Sequence, residues 1–356
     1  MNHAEIVAWL EERDPQKLDR LWQEADQTRR ENVGDEIHLR GLIEISNYCS
    51  QHCTYCGIRA DNRQVIRYRL REEEILQSVQ QAVRFGYGTV VLQSGEDPGL
   101  TGTWLERVIR RIKEEADLAV TLSLGERSLD DLIRWRRAGA DRYLLRFETS
   151  NRKLFEWMHP GRKGEADRRI EMLRELRALG YEVGSGVMIG LPGQTYDDLA
   201  RDVELFQELK LDMIGVGPYL PHPATPLGAA SAKPEQPPQV VDAANQVTAD
   251  FLTTCKVVAL ARLVCPKSNI PATTALAAIK GEAGRAAALD RGANVIMPNV
   301  TPEQYRVLYE IYPEKACLVE TAETVDRSIR DLVDHLGRTI GQGRGDSPAF
   351  LDTKEE

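Results

Sequence analysis

The chain has 356 residues, of which 42% are hydrophobic and 28% charged, and it carries a formal net charge of -9. This size and balance are typical of a globular protein long enough for one large barrel or two smaller domains. The acidic surplus argues against nucleic acid as the main partner, because phosphate binding needs clustered positive charge. No stretch approaches about eighteen uninterrupted apolar residues and the N-terminus lacks a signal-peptide pattern, so we expect no membrane segment and a cytoplasmic location.

The first part of the chain, residues 1–37, is predicted to form an N-terminal helical cap, in which Asp14 and Pro15 begin a helix as N-cap and first helical residue. From residue 38 onward short apolar strands alternate with amphipathic helices, and several helices end in Gly directly before a strand. The eight predicted strands lie near 38–49, 89–94, 119–125, 142–149, 182–190, 213–221, 269–274 and 293–299.

Eight such units predict an α/β protein built as a complete (β/α)8 TIM-type barrel over residues 38–312. The competing fold is a doubly wound open sheet, which would carry a Gly-rich phosphate-binding turn after its first strand; that turn is absent here. Residues 313–340 are predicted to be a C-terminal helical extension, and the Gly-rich tail at 341–356 is predicted to be disordered. A Pro-rich segment, 221–239, follows the sixth strand.

Strand alternation predicts an unusual barrel interior. Along the fourth strand apolar residues alternate with Arg142, Arg146 and Glu148, and along the first they alternate with Arg40 and Glu44. If the apolar set faces the helices, the polar set faces the lumen, which in other barrels is filled by aliphatic side chains. The functional interpretation is a cavity for a polar substrate and cofactor. The alternative is a buried salt-bridge network, which desolvation makes a poor source of stability.

Three of the six cysteines, Cys49, Cys53 and Cys56, lie within eight residues at the end of the first strand, the place where barrel active sites form. Three thiolates can hold one corner of an iron-sulfur cluster and leave one iron open to a ligand. The alternatives are a zinc site or a redox pair of Cys53 and Cys56. No second CxxC or His pair is present to complete a structural zinc site, and the remaining cysteines are scattered.

This CxxxCxxC motif after a first barrel strand resembles the radical S-adenosylmethionine (SAM) superfamily. A narrower resemblance, to the HydE-type FeFe-hydrogenase maturases, spans Glu36 to Pro313 and is carried by HLRGLIEISNYC, VVLQSGEDP, VTLSLGE, ADRYLLRFET, GLPGQT, MIGVGPYLPHPATPL, NIPATTA and GANVIMPN. The resemblance implies one 4Fe-4S cluster held by the three cysteines. It also implies SAM as the second cofactor, which the reduced cluster cleaves to a 5′-deoxyadenosyl radical.

The resemblance and the strand alternation together give the candidate site residues. The SAM-binding set is Tyr55, Glu96, Ser123, Glu148, Arg169, Met188 and Leu191. The substrate set is Gln93, Arg142, Arg146, Thr273, Thr274, Tyr309 and Tyr312. Arg169 has the alternative of a solvated helix charge beside Arg168, and the two tyrosines have the alternative of ordinary core packing.

By the same resemblance the protein acts in assembly of the diiron subsite (H-cluster) of FeFe-hydrogenase, on an iron precursor bearing cysteine, carbon monoxide and cyanide inside the barrel. The implied partners are other hydrogenase maturases and an electron donor. Two alternatives stay open: a carbon-skeleton mutase resembling methylornithine synthase, and a cluster carrier that only hands on its cargo. Some relatives add a peripheral iron-sulfur site from C-terminal cysteines, whereas Cys317 stands alone here, so we expect a single cluster.

Overall fold

The structure is a computed structural model that describes residues 1–229, 237–239, 241–242, 244–313 and 320–355. Cys317 and the middle of the Pro-rich segment lie outside these residues. The strands run β1 Glu36–Ser46, β2 Thr89–Ser94, β3 Ala119–Ser123, β4 Arg142–Leu144, β5 Glu182–Ser185, β6 Met188–Ile189, β7 Met213–Ile214, β8 Gly217–Pro218, β9 Val295–Ile296 and β10 Thr339–Ile340. The helices run α1 His3–Glu11, α2 Pro15–Val33, α3 Glu72–Arg84, α4 Gly102–Glu115, α5 Leu129–Ala138, α6 Arg152–Met158, α7 Arg168–Ala178, α8 Tyr196–Glu208, α9 Phe251–Val264, α10 Thr274–Leu289, α11 Glu303–Arg306, α12 Ala322–His335 and α13 Pro348–Glu355.

The main sheet is parallel throughout, in the order β10-β1-β2-β3-β4-β5-β7, with β9 also pairing with β1. Its longest ladder pairs β1 with β2, from Arg40 opposite Thr89 to Glu44 opposite Gln93, with Ser46 opposite Ser94 after a register shift. Parallel neighbours need long crossover connections, and these are the helices that cover the outside of the sheet. The strands therefore form the curled parallel sheet of a TIM-type α/β fold.

Helix starts follow the local sequence signals. The Asp14 side chain accepts from the Gln16 amide at 2.8 Å and Pro15 occupies the first turn of α2, which confirms the predicted cap. At α8 Thr195 and Asp198 form a reciprocal capping box. The two cap helices pack against α8 and α9 on the outside of the sheet.

The apolar residues of the strands face the helices. Ile43 and Ile45 of β1 and Val90 and Leu92 of β2 are fully buried in the layer between sheet and helices. The lumen side of the same strands is mixed: Glu44, at 0% exposure, and Gln93 lie there as the alternation predicts, but so does the apolar Leu42. The core thus lies around the sheet and leaves room inside it.

Arg142 does not line the lumen of the sheet, although it was predicted to contact substrate. Its guanidinium donates to Glu182 Oε2 at 2.5 Å, to Thr89 Oγ1 at 2.7 Å and to the Arg344 carbonyl at 2.9 Å. These partners lie at the N-terminal end of the strands, below the lumen, so Arg142 belongs to the floor of the sheet.

The tail predicted to be disordered supplies part of this floor. Residues 341–347 run under the strands, where the Gly345 carbonyl accepts from Arg40 at 3.0 Å and the Ser347 amide donates to Glu182 Oε1 at 3.1 Å. The chain then ends in α13, with Phe350 buried. Backbone carbonyls that satisfy buried guanidinium groups explain why a Gly-rich segment is ordered here.

Candidate functional site

The three clustered cysteines lie in the loop after β1 and face a cavity of about 330 Å3 at the C-terminal end of the strands. Neighbouring segments hold this loop by its backbone. The Ser50 amide donates to the Glu96 carbonyl at 2.9 Å, and the Thr54 amide donates to the Met158 carbonyl at 2.9 Å. The Gly57 amide donates to the Ile311 carbonyl at 3.0 Å. The loop is therefore fixed from three sides before any ligand binds.

Two glycines permit this close packing. A Cβ on Gly95 would collide with the Tyr48 carbonyl and approach Cys49 Cβ to 2.7 Å, and one on Gly57 would collide with the Glu310 carbonyl. Neither collision can be relieved by a flexible side-chain end, because both involve backbone atoms. The loop that carries the cysteines consequently requires glycine at its two closest approaches.

The cysteine chemistry fits a cationic cluster. Cys49, Cys53 and Cys56 are free thiols in the structure. Burial raises the pKa of all three, that of Cys53 to about 12. Thiolates at these positions need a positive charge beside them, which bound iron supplies. The residues present therefore fit an iron-sulfur cluster whose ligands are thiolates.

Glu148 lies in the cavity wall with a strained backbone. It is buried, and its φ of 66° falls in the left-handed region that non-glycine residues rarely occupy. Its Oε2 forms an ion pair with Arg146 Nη2 at 3.0 Å but accepts no well-oriented hydrogen bond among the described residues. The same Arg146 nitrogen also donates to the Val187 carbonyl at 2.6 Å. Strain of this kind persists at functional sites, where a carboxylate must be presented at a fixed position.

Arg169 is buried and held on both sides, so it is not a solvated helix charge. Its Nε donates to Glu126 Oε1 at 2.9 Å and its Nη1 donates to the Arg146 carbonyl at 3.1 Å. Glu126 also binds the Arg162 guanidinium through both of its oxygens. Although burial opposes ionisation, these arginines keep the pKa of Glu126 below its usual range. Arg169 thus presents a charged guanidinium in a fixed orientation at the cavity.

Glu96 lies between the cysteine loop and this arginine. Its Oε2 accepts from Gln51 at 2.5 Å, and its Oε1 is 4.0 Å from Arg169 Nη2. Burial raises the pKa of Glu96 despite the nearby arginine. Ser123, at the end of β3, also lines the cavity.

One wall of the cavity is apolar. Met158, Met188, Leu191 and Tyr219 form a buried cluster, and Tyr55 packs against it. Of the two predicted apolar contacts, Met188 lines the cavity, whereas Leu191 lies behind it and does not. A flat aromatic and a thioether beside a charged wall suit a ligand with one apolar and one zwitterionic end.

The lower cavity gathers the other predicted substrate residues apart from Arg142. Gln93, Arg146, Thr273, Thr274, Tyr309 and Tyr312 all line it. Tyr312 and Thr274 share a hydroxyl hydrogen bond of 2.6 Å, and the Thr273 hydroxyl donates to the Val216 carbonyl at 3.0 Å. The two tyrosines therefore contribute cavity surface as well as packing.

Comparison with known proteins decides the family. Residues 43–206 match the model of the radical SAM superfamily. The chain is 44% identical over 333 residues to the [FeFe] hydrogenase maturase subunit HydE of Thermotoga maritima, covering 94% of this chain and 90% of that protein. The chain belongs to the HydE family of radical SAM enzymes. This confirms the resemblance drawn from the motifs.

More distant relatives of this HydE-family protein share its fold. The 3-methylornithine synthase of Methanosarcina acetivorans is 26% identical over 98% of this chain and 91% of its own length. A solved structure of methylornithine synthase (PylB) superposes with a TM-score of 0.80 at 23% identity, over 99% of this chain and 96% of that one. HydG, a maturase of the [FeFe]-hydrogenase, superposes at 0.77 and 19% identity, over 99% and 76%. In the described residues no helix is long and apolar enough to span a bilayer.

Some residues of the HydE-family site were absent from the sequence prediction. Glu126 is the last residue of the VTLSLGE segment but was given no role there, and His159 directly follows α6; neither belongs to a metal or catalytic pattern. The cavity is also lined by Glu44, Met213 and Met297. Of these, Glu44 was predicted only as a lumen residue. For Met213 the available signal was its place at the start of a predicted strand; the contacts of Glu126 and His159 arise only from folding.

Proposed function

We propose that this chain is a radical SAM enzyme of FeFe-hydrogenase maturation, which acts on an iron precursor bearing cysteine, carbon monoxide and cyanide during assembly of the diiron subsite. The observation that carries the proposal is the 44% identity to HydE over 94% of the chain. The cavity supports it, because the cysteine loop opens directly onto a lower chamber whose lining includes Gln93, Arg146 and Tyr309. Other maturases and an electron donor are the partners that this role requires.

Within the cavity we assign Cys49, Cys53 and Cys56 as the three ligands of one 4Fe-4S cluster. When bound, the cluster supplies the electron for reductive cleavage of SAM to 5′-deoxyadenosyl. We assign the SAM carboxylate to Arg169, whose guanidinium is preoriented by Glu126. The ammonium group is assigned to Glu148, whose Oε2 accepts no well-oriented hydrogen bond among the described residues.

The apolar wall then takes the adenosyl group, with Tyr55 and Met188 as its contacts. Placing the zwitterionic end at Glu148 and Arg169 turns the nucleoside toward this wall. Gln93 and Tyr309 line the lower chamber beside this wall. These side chains exclude water and orient the substrate.

The chamber also depends on a complete barrel, which we propose for this chain. Beyond β7 a parallel bridge joins Met213 to Asn269, and a second joins Pro271 to Val295. Val295 in β9 pairs with His38 in β1. These contacts support an eighth strand at 269–271 that closes the ring between β7 and β9.

The alternative is a carbon-skeleton mutase of the methylornithine synthase type. One observation favours it: Glu44 and Arg146 both line the chamber, and a free amino acid needs one anionic and one cationic partner. Arg146 is already engaged by Val187 and Glu148, which leaves less of its charge for a substrate carboxylate.

The test is anaerobic reconstitution with iron and sulfide, reduction with dithionite, and measurement of 5′-deoxyadenosine. EPR during turnover compares an iron-cysteine complex bearing carbon monoxide and cyanide with free lysine. The maturase proposal expects a substrate-dependent paramagnetic signal with the iron complex alone. A signal or product with lysine alone would instead support the mutase, and absence of SAM cleavage would favour a cluster carrier.

A further inference from the structure

His159 lies directly behind the cysteine loop and has no role in the assignments above. It follows α6, is exposed to only 1%, and its ring lies 4.2 Å from the Phe155 ring, centroid to centroid, at 30°. The Tyr55 ring meets it edge-on at 5.5 Å. The imidazole is therefore packed between two aromatic rings, one of which lines the cavity.

The hydrogen bonds of His159 have a defined direction. Nδ1 lies 2.8 Å from the Phe155 carbonyl, and since a carbonyl can only accept, Nδ1 carries the proton. Burial lowers the pKa of His159 well below its usual value, so the ring is neutral and Nε2 is an acceptor. The Tyr55 hydroxyl, 3.1 Å from Nε2, must then be the donor.

The end of α6 supports the cysteine loop at two successive residues. The Met158 carbonyl accepts from both the amide and the hydroxyl of Thr54, at 2.9 and 3.2 Å. His159 then holds Tyr55, the next residue of the loop. Thr54 and Tyr55 are the two residues between Cys53 and Cys56, so the contacts to α6 fix the spacing of those two thiols.

We propose that His159 is a positioning residue for SAM binding: by accepting from the Tyr55 hydroxyl it fixes the aromatic wall of the cavity and the segment between Cys53 and Cys56. The proposal rests on the proposed function of the cavity. Without this acceptor the Tyr55 hydroxyl keeps only its contact with the Cys53 sulfur, a weak acceptor, so the ring is no longer held in one orientation and can turn into the cavity. The turned ring would occupy part of the SAM site.

The competing explanation is that His159 only fills the core. A core histidine replaced by phenylalanine would change stability and leave SAM binding alone. The variants that separate the two are His159→Phe, which keeps an aromatic ring but has no acceptor, and His159→Gln, which offers an acceptor oxygen and an amide donor. Tyr55→Phe removes the donor from the other side.

The measurements are SAM affinity, KM and kcat for 5′-deoxyadenosine formation, the EPR spectrum of the reduced cluster with SAM, and the Tm of the metal-free protein. We expect His159→Phe to weaken SAM binding and raise KM by about five- to tenfold, from the loss of one buried hydrogen bond, with a smaller change in kcat. The EPR line shape with SAM should change as well. His159→Gln should recover most of the affinity.

A double-mutant comparison tests whether His159 affects SAM binding through Tyr55. If His159 acts through Tyr55, Tyr55→Phe should match His159→Phe, and the double variant should be no worse than either single one. Tyr181→Phe is the matched control, because it removes a buried hydroxyl bond of 2.7 Å to the Leu132 carbonyl on the outside of the sheet. It should lower Tm and leave KM unchanged.

The outcomes are distinguishable. If the wild-type protein forms no 5′-deoxyadenosine, the proposed function fails. If it does, and His159→Phe and Tyr55→Phe bind SAM as tightly as wild type, the positioning role is wrong. Additive losses in the double variant would also overturn it. Should His159→Phe not fold, Tyr55→Phe and His159→Gln carry the same comparison.

Discussion

Arg169 and Glu126 form a buried ion pair, with Nε and Oε1 2.9 Å apart, at the wall of the cavity. The two residues are 43 positions apart in the chain and belong to different βα units. Glu126 also binds Arg162, so one carboxylate orients two guanidinium groups. The cation assigned to the SAM carboxylate is therefore held in place before SAM arrives.

Glu126→Gln should weaken SAM binding through Arg169. The amide keeps the shape but loses the charge that orients the guanidinium, and we expect KM for SAM to rise by about tenfold, roughly 1.4 kcal/mol, with little change in kcat. Steady-state kinetics of 5′-deoxyadenosine formation measure this. Glu165→Gln is the control: it removes the exposed carboxylate on Arg162 and should have no effect.

Cys53→Ser should abolish SAM cleavage while the protein stays folded. Serine is nearly isosteric, but its hydroxyl does not replace a thiolate as an iron ligand. Iron and sulfide content, the EPR of the reduced protein and circular dichroism check the three parts of this prediction. Cys265→Ser changes an equally buried thiol away from the cavity and should leave cluster content at the wild-type level. Retained cleavage in Cys53→Ser would contradict the ligand assignment.

Removal of residues 341–356 should destabilise the whole sheet. It takes the Gly345 carbonyl from Arg40 and both the Arg344 carbonyl and the Asp346 carboxylate from Arg142. Leaving two buried guanidinium groups short of partners costs about 3–5 kcal/mol. Urea unfolding of the metal-free protein measures this loss, and an unchanged midpoint would mean that the tail does not hold the floor in solution.

Asp346→Asn gives a finer version of the same test, with an expected loss of about 1–3 kcal/mol from the weakened pair with Arg142. Asp352→Asn changes a carboxylate of the same tail that pairs with Lys267 at the exposed surface. An exposed pair contributes under about 1 kcal/mol, so this variant should unfold close to wild type.

Asp202 should make stability fall as pH rises. Burial raises its pKa to about 8, while the unfolded chain has a value of about 4. A raised carboxyl pKa favours the folded state fully below about pH 4, and the benefit is lost as pH approaches 8. The free energy of unfolding from urea titrations should decline across this window. In Asp202→Asn, which can still accept from Ser150, that part of the slope should disappear.

Strand alternation in the sequence correctly predicted that Arg146 and Glu148 face inward, but it assigned the apolar Leu145 to the outside, although Leu145 also lines the cavity, and it gave no depth. Arg142 and Arg146 have the same parity, yet four residues of strand separate them by about 13 Å along its axis. Arg146 therefore lines the cavity, while Arg142 lies in the floor with Glu182. Depth depends on how neighbouring strands are staggered, which alternation does not encode.

The tail was misjudged for a related reason. Its glycines and charges are typical of disorder, and nothing local in the segment orders it. The order comes from Arg40 and Arg142, roughly 200 to 300 positions earlier in the chain. The partners of a backbone carbonyl cannot be deduced from the segment that carries it.

The sequence by itself determined the short-range features: the CxxxCxxC motif at the end of β1, the helix caps, the alternation of strand and helix, and the family resemblance. Each depends on residues only a few positions apart in the chain, because over such short spans the backbone geometry fixes where the side chains lie. Only the tertiary structure decided that Glu126 orients Arg169, that His159 holds Tyr55 and that the tail closes the floor. Those contacts join segments that are far apart in the chain and are brought together by the packing of the sheet. Local sequence propensity does not describe that packing.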